Sequence, residues 1–151
     1  RGSAANMSAT HLYYGGGHHR ALTLGPERAH RMGPFATAQR LGVAYAMHSD
    51  APVTPVAPLF TAWCAVERKT AEGRVLGEAE KISVADALRA ITLGAAYTLK
   101  MDHEVGSIET GKRADFAILE DDPFAVPSAE LKDIPIWGTV LGGIVQPAHA
   151  G

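Results

Sequence analysis

The sequence predicts an α/β fold whose last third turns into an antiparallel β unit. Three observations carry this expectation. Residues 42–53 read GVAYAMHSDAPV, an uncharged apolar run that ends in three polar side chains and then a proline. A short apolar run bounded by turn residues suits a strand buried on both faces. The segment before it has helical texture, so the order is loop, helix, strand, half of a βαβ crossover. Finally, residues 136–145 hold two apolar runs around Gly142-Gly143, a two-residue hairpin signal.

Size and charge narrow the function classes. The 151 residues carry a formal net charge of −2 and 46% hydrophobic side chains, enough for one modest core. A complete (β/α)8 barrel needs about 250 residues, or at least roughly 200. The near-neutral charge gives no basic footprint, so nucleic acid is not expected as a partner. No apolar run approaches the roughly 18 residues of a membrane span, and no signal peptide is visible. Cys64 is the only cysteine, so no internal disulfide can form. This fits a reducing compartment, and we expect the cytoplasm. Arg1-Gly2-Ser3 reads either as a tag remnant or as the middle of a longer protein.

The elements follow in order. Residues 4–14 read as an extended segment stopped by Gly15-Gly16-Gly17, which should form a loop, since consecutive glycines favour no regular element. His11 lies near the end of that segment; His18 and His19 follow the glycines. Residues 26–41 look helical, with Pro26 suited to a first turn and Glu27 to the amino end of the dipole. Gly33-Pro34 predicts a break and a second helix over 35–41. Gly42 then sits where a left-handed terminator is wanted. The buried strand should stop at about Asp50, because Pro52 lacks a donor and biases Ala51 away from helix. Pro52, Pro55 and Pro58 make a stiff connector able to wall a pocket.

Residues 59–68 read as a helix with Leu59, Trp63 and Val66 inward; Trp63 is expected in the core. Residues 69–81 are polar and predict an exposed loop. Ser83 and Asp86 resemble a capping box opening a core helix that runs to about Lys100, with Val84, Ala87, Leu88, Ile91 and Ala95 at helical spacing. Residues 106–112 are a turn, 114–119 a strand, and 136–141 and 144–145 the closing hairpin. The boundary between the two parts falls near Met101.

His48, Ser49 and Asp50 end the buried strand, and in parallel barrels chemistry sits at that carboxyl end. Asp50 is the first candidate for a catalytic or metal-binding carboxylate. A Ser-Asp pair before proline also suits a turn or a helix cap. A histidine just past a strand, with others across a glycine loop, can reach a metal or a substrate. The same histidines also suit a surface loop.

Five runs, in order and spacing, resemble the amidohydrolase superfamily, specifically amidohydrolase family 3. They are Thr10-His11-Leu12-Tyr13-Tyr14, Gly25-Pro26-Glu27-Arg28-Ala29, His48-Ser49-Asp50-Ala51-Pro52-Val53-Thr54-Pro55, Ala87-Leu88-Arg89-Ala90 with Ala95-Ala96, and Gly106-Ser107-Ile108-Glu109-Thr110-Gly111-Lys112-Arg113-Ala114-Asp115. The last is the most diagnostic. The resemblance implies a metal-dependent (β/α)8 (TIM) barrel flanked by a small β-sandwich. Residues 1–101 then correspond to a partial barrel, about strands six to eight. The segment to His11 would be the sixth strand and the one to Asp50 the eighth. Residues 102–151 correspond to the carboxyl-terminal share of the sandwich.

The family's roles would fall on His11 as metal ligand and on Asp50 as metal ligand and general base. His18, His48 and Ser49 would line the pocket or touch substrate. The cofactor implied is a divalent metal, zinc foremost, as one or two ions. The implied reaction is hydrolysis of an amide or formamide-like C–N bond in a small molecule.

The family's His-x-His pair of the first strand, the bridging residue of the fourth and the histidine of the fifth have no counterpart here. Gly15-Gly16-Gly17 stands where Trp-Gly-Asp often follows the paired tyrosines. The resemblance thus implies a carboxyl-terminal fragment, incompetent alone. The rest of the barrel would come from missing polypeptide or a second chain. An open-edged partial barrel should also seek a partner, including a second copy. The alternative is a non-catalytic regulatory or binding fragment derived from such an enzyme.

Overall fold

A computed structural model describes residues 4–18 and 22–148. His19 lies outside them. The element order is β1 (Ala4–Ser8), α1 (Thr10–His18), α2 (Gly25–Ala29), α3 (Phe35–Arg40), β2 (Ala44–His48), α4 (Pro58–Glu67), α5 (Val84–Ile91), α6 (Leu93–Thr98), β3 (Phe116–Leu119), β4 (Ile136–Leu141) and β5 (Ile144–Pro147). The architecture is mixed α/β. Among the described residues, no helix is long and apolar enough to cross a membrane.

β1 and β2 pair in parallel from Ala4 opposite Ala44 to Ser8 opposite His48. They are hydrogen-bonded neighbours, so no strand lies between them. This corrects the assignment to sixth and eighth strands: the helical crossover makes them successive ones. Helix α4 packs beside this pair. It starts on Pro58, whose missing N–H has no helical partner to lose. It ends on Arg68 in the left-handed region, φ 54°. Ala62, Cys64 and Ala65 are 0% exposed and Trp63 is 5% exposed, as a core role for Trp63 requires. The indole N–H donates to the Ala129 carbonyl at 3.0 Å, and the ring stacks on Phe60 with centroids 5.6 Å apart.

Three expectations fail, each for a tertiary reason. The extended segment does not run to Tyr14: β1 ends at Ser8 and α1 carries straight through Gly15-Gly16-Gly17. Three glycines cost roughly 3 kcal/mol of helix propensity relative to alanine, and packing offsets it. Leu12 is buried, Tyr13 meets Phe60 edge-on at 5.2 Å, and Gly16 lies so close to the 70–76 segment that a Cβ would sit 2.9 Å from Thr70 Cγ2.

The supposed exposed loop 69–81 is a tight return. Lys69 bridges Val75, and Thr70, Leu76 and Glu80 are buried. The helix expected from Ser83 to Lys100 breaks at Thr92, φ −115° and ψ −93°. There Gly94 approaches β2 so closely that a Cβ would meet the Tyr45 carbonyl at 2.5 Å. Residues on either side of Met101 also pack together. The 3-10 helix Ser128–Asp133 returns to α4, bringing Leu131 and the following Ile134 into the core.

Other local readings agree with the chain. Ser83 Oγ accepts from the Asp86 N–H at 3.1 Å and donates to its carboxylate at 2.6 Å. Gly42 is left-handed at φ 65°, as are Gly142 and Gly143 at φ 58° and 83°. Positive φ at both central residues is what a tight hairpin turn demands. β3, β4 and β5 form one antiparallel sheet.

Candidate metal centre

The parallel pair brings two chain reversals side by side. β1 stops at Ser8, and His11 falls in the first turn of α1. β2 stops at His48, and Asp50 follows with φ 63°. That conformation is uncommon for a non-glycine residue, though Asp tolerates it better than most. It turns the chain sharply, and the Asp50 carbonyl accepts from the Val53 N–H at 2.9 Å and the Thr54 N–H at 3.4 Å. The result is a direct meeting of His11 Nε2 and Asp50 Oδ2 at 3.1 Å, with the side chains 39% and 43% exposed.

The two atoms are an imidazole nitrogen and a carboxylate oxygen, donors that divalent zinc takes at about 2.0–2.2 Å. Two such donors on one tetrahedral ion lie roughly 3.3 Å apart by that geometry, so the observed spacing fits a shared ion. The number of donors does not fill one. Among the described residues, no group of three or more His, Cys, Asp or Glu side chains could hold a metal. The pair alone would supply two of the three or more protein ligands that such an ion takes.

The other candidates lie elsewhere. His48 and Ser49 line a separate cavity of about 230 Å³ with Met47, Pro58, Thr61 and Ile91. His18 closes α1, two helical turns from His11, or about 10 Å along the axis. Cys64 is no nucleophile: burial pushes its thiol up to about 12. Tyr45 is also raised to about 12, by burial and then by the charge of Asp86, against a hydrogen bond from Gln39.

Two residues were overlooked as part of the site. Thr10 Oγ1 donates to the Ser49 carbonyl at 2.9 Å, and Thr54 Oγ1 donates to the same oxygen. The two hydroxyl oxygens lie 3.1 Å apart, and Thr10 is 0% exposed. Their signal in the sequence was adjacency: Thr10 precedes His11, and Thr54 closes the reversal that Asp50 opens.

A model of the amidohydrolase family matches residues 1–146. The N-substituted formamide deformylase of Arthrobacter pascens is 31% identical over 118 residues, covering 78% of this chain and 22% of its own length. The chain thus spans about a fifth of that relative. A metal-dependent hydrolase of Pyrococcus horikoshii OT3 superposes with TM-score 0.69 at 22% identity, over 83% of this chain and 26% of its own. An adenosine deaminase of Xanthomonas campestris with bound zinc gives TM-score 0.59 at 26% identity, over 76% and 28%.

Proposed function

The chain belongs to the amidohydrolase family, and from that premise we propose that it carries the carboxyl-terminal part of a metal-dependent hydrolase of C–N bonds. The observation that supports this reading is the approach of His11 Nε2 to Asp50 Oδ2 at 3.1 Å. Residues 1–101 supply successive strands of a (β/α)8 barrel, and 102–151 a share of a small sandwich. The remaining ligands come from the rest of the barrel, on the same polypeptide or another. Similarity to a formamide deformylase favours small amide or formamide-like substrates.

His11 and Asp50 would hold the metal, zinc foremost given the zinc-bound deaminase among the structural relatives. Such an ion, when bound, acidifies water and polarises a carbonyl. The carboxylate of Asp50 takes the proton from the attacking water as the new C–O bond forms. It returns that proton to the nitrogen as the C–N bond breaks.

The test is Asp50→Asn in the protein with its complete barrel, zinc supplied, assayed on N-substituted formamides. We expect a loss of about 100-fold or more in kcat, the scale of a lost general base. Activity within a few-fold of wild type would remove Asp50 from its role. The limit of two donors among the described residues favours a second reading, a non-catalytic binding or regulatory fragment. Stoichiometric zinc in the isolated chain would contradict the claim that its site is incomplete.

A further inference from the structure

The carbonyl of Ser49 receives two hydroxyls from two different segments. A carbonyl oxygen has two lone pairs, so both can be accommodated. Thr10 is 0% exposed and Thr54 5%, so neither hydroxyl has water as an easy alternative. The strand ladder ends at Ser8 opposite His48, one residue before this carbonyl. Ser8 Oγ also lies 3.4 Å from Thr10 Oγ1, extending the chain of hydroxyls back into β1.

The covalent neighbours make this arrangement more than a turn closure. Thr10 is bonded to His11, and Ser49 to Asp50. One hydrogen bond therefore registers the two reversals against each other at the point where His11 and Asp50 meet. The Asp50 backbone at φ 63° is a conformation that its surroundings must impose. Thr54 helps impose it from the far side, through its N–H to the Asp50 carbonyl and its hydroxyl to Ser49.

We propose that Thr10 and Thr54 are positioning residues, which hold Asp50 against His11 by gripping the Ser49 carbonyl. This rests on the reading of that pair as part of a metal site. Both hydroxyls are directed at the Ser49 carbonyl. Each acts through the backbone it fixes, as supporting groups do around metal ligands.

The experiment uses the protein with its complete barrel. Thr10→Val, Thr10→Ser and Thr54→Val are compared with Asp50→Asn and His11→Ala. Zinc affinity is measured by chelator competition at fixed pH, with kcat, KM and the thermal midpoint alongside. Thr10→Val should weaken zinc binding by about tenfold or more and lower kcat with little change in KM. Thr10→Ser should stay within about threefold of wild type, because it keeps the hydroxyl. Thr54→Val should weaken zinc less than Thr10→Val.

If Thr10→Val keeps wild-type zinc affinity while Asp50→Asn and His11→Ala lose it, the metal site stands and the positioning role falls. Failure of Thr10→Ser to rescue also overturns the role, since packing of the methyl group would then be responsible. If Asp50→Asn and His11→Ala both keep zinc, the site reading itself is wrong. Should Thr10→Val not fold, Thr54→Val with Thr54→Ser as its rescue decides the matter on the same readouts.

Discussion

Replacing Arg68 tests how the return after α4 is held. Its guanidinium is fully buried, at 0% exposure. It donates through Nε to the Leu76 carbonyl at 2.7 Å, through Nη1 to Gly33 at 2.9 Å and through Nη2 to Met32 at 2.6 Å. It thereby ties the 69–76 return to the break between α2 and α3. Burial lowers its pKa to about 10, with the Glu80 charge working the other way, so it stays cationic at neutral pH.

Arg68→Met keeps the volume and removes every donor. The Gly33 carbonyl keeps the Phe35 N–H at 2.8 Å, so the Leu76 and Met32 carbonyls are orphaned, at about 1–3 kcal/mol each, or about 2–6 kcal/mol together. Relief of the buried charge returns a few kcal/mol. We expect a net loss of about 2 kcal/mol, and a thermal midpoint lower by about 4–8 °C for a chain this size. Arg68→Lys keeps the charge but not the planar fork, and should lose at least half as much. Thermal and urea denaturation of the chain measure both. A midpoint within about 2 °C of wild type for the Met variant, or a Lys variant equal to wild type, would refute the reasoning.

Two further outcomes follow from the same packing. Gly16→Ala gains about 1 kcal/mol of helix propensity but places Cβ 2.9 Å from Thr70 Cγ2 and 3.2 Å from Leu76 Cδ2. Overpacking of about 1–3 kcal/mol should win, lowering the urea midpoint, and Thr70→Ser should restore part of the loss in a double-mutant cycle. Glu80 should make the fold acid-sensitive. Burial raises its pKa, but the Thr37 hydroxyl and N–H, with the charges of Arg40 and Arg68, outweigh that and hold it below 4.5. A depressed carboxylate stabilises fully above its unfolded value, and that contribution fades as pH falls through the lower folded value. Glu80→Gln should therefore be less stable than wild type at neutral pH, and the gap should narrow as pH falls below the ordinary glutamate range. Equal denaturation midpoints at neutral pH would refute this.

What the sequence determined by itself is local. The hairpin at Gly142-Gly143, the cap at Ser83, the left-handed Gly42 and the Gly33-Pro34 break each follow from the backbone freedom or hydrogen-bonding reach of one or two residues. The apolar run ending in His48-Ser49-Asp50 also marked where β2 stops and polar chemistry begins. The resemblance, resting on short runs in order, pointed to the family. Position in space was decided elsewhere. Nothing local puts three glycines in a helix; the closeness of Thr70 and Leu76 does. Nothing in the polar texture of 69–81 shows that it folds back over a buried arginine. The meeting of His11 with Asp50, thirty-nine positions apart in the sequence, exists because β1 and β2 are immediate parallel neighbours. Strand pairing is a long-range hydrogen-bonding choice, which no single segment's pattern encodes.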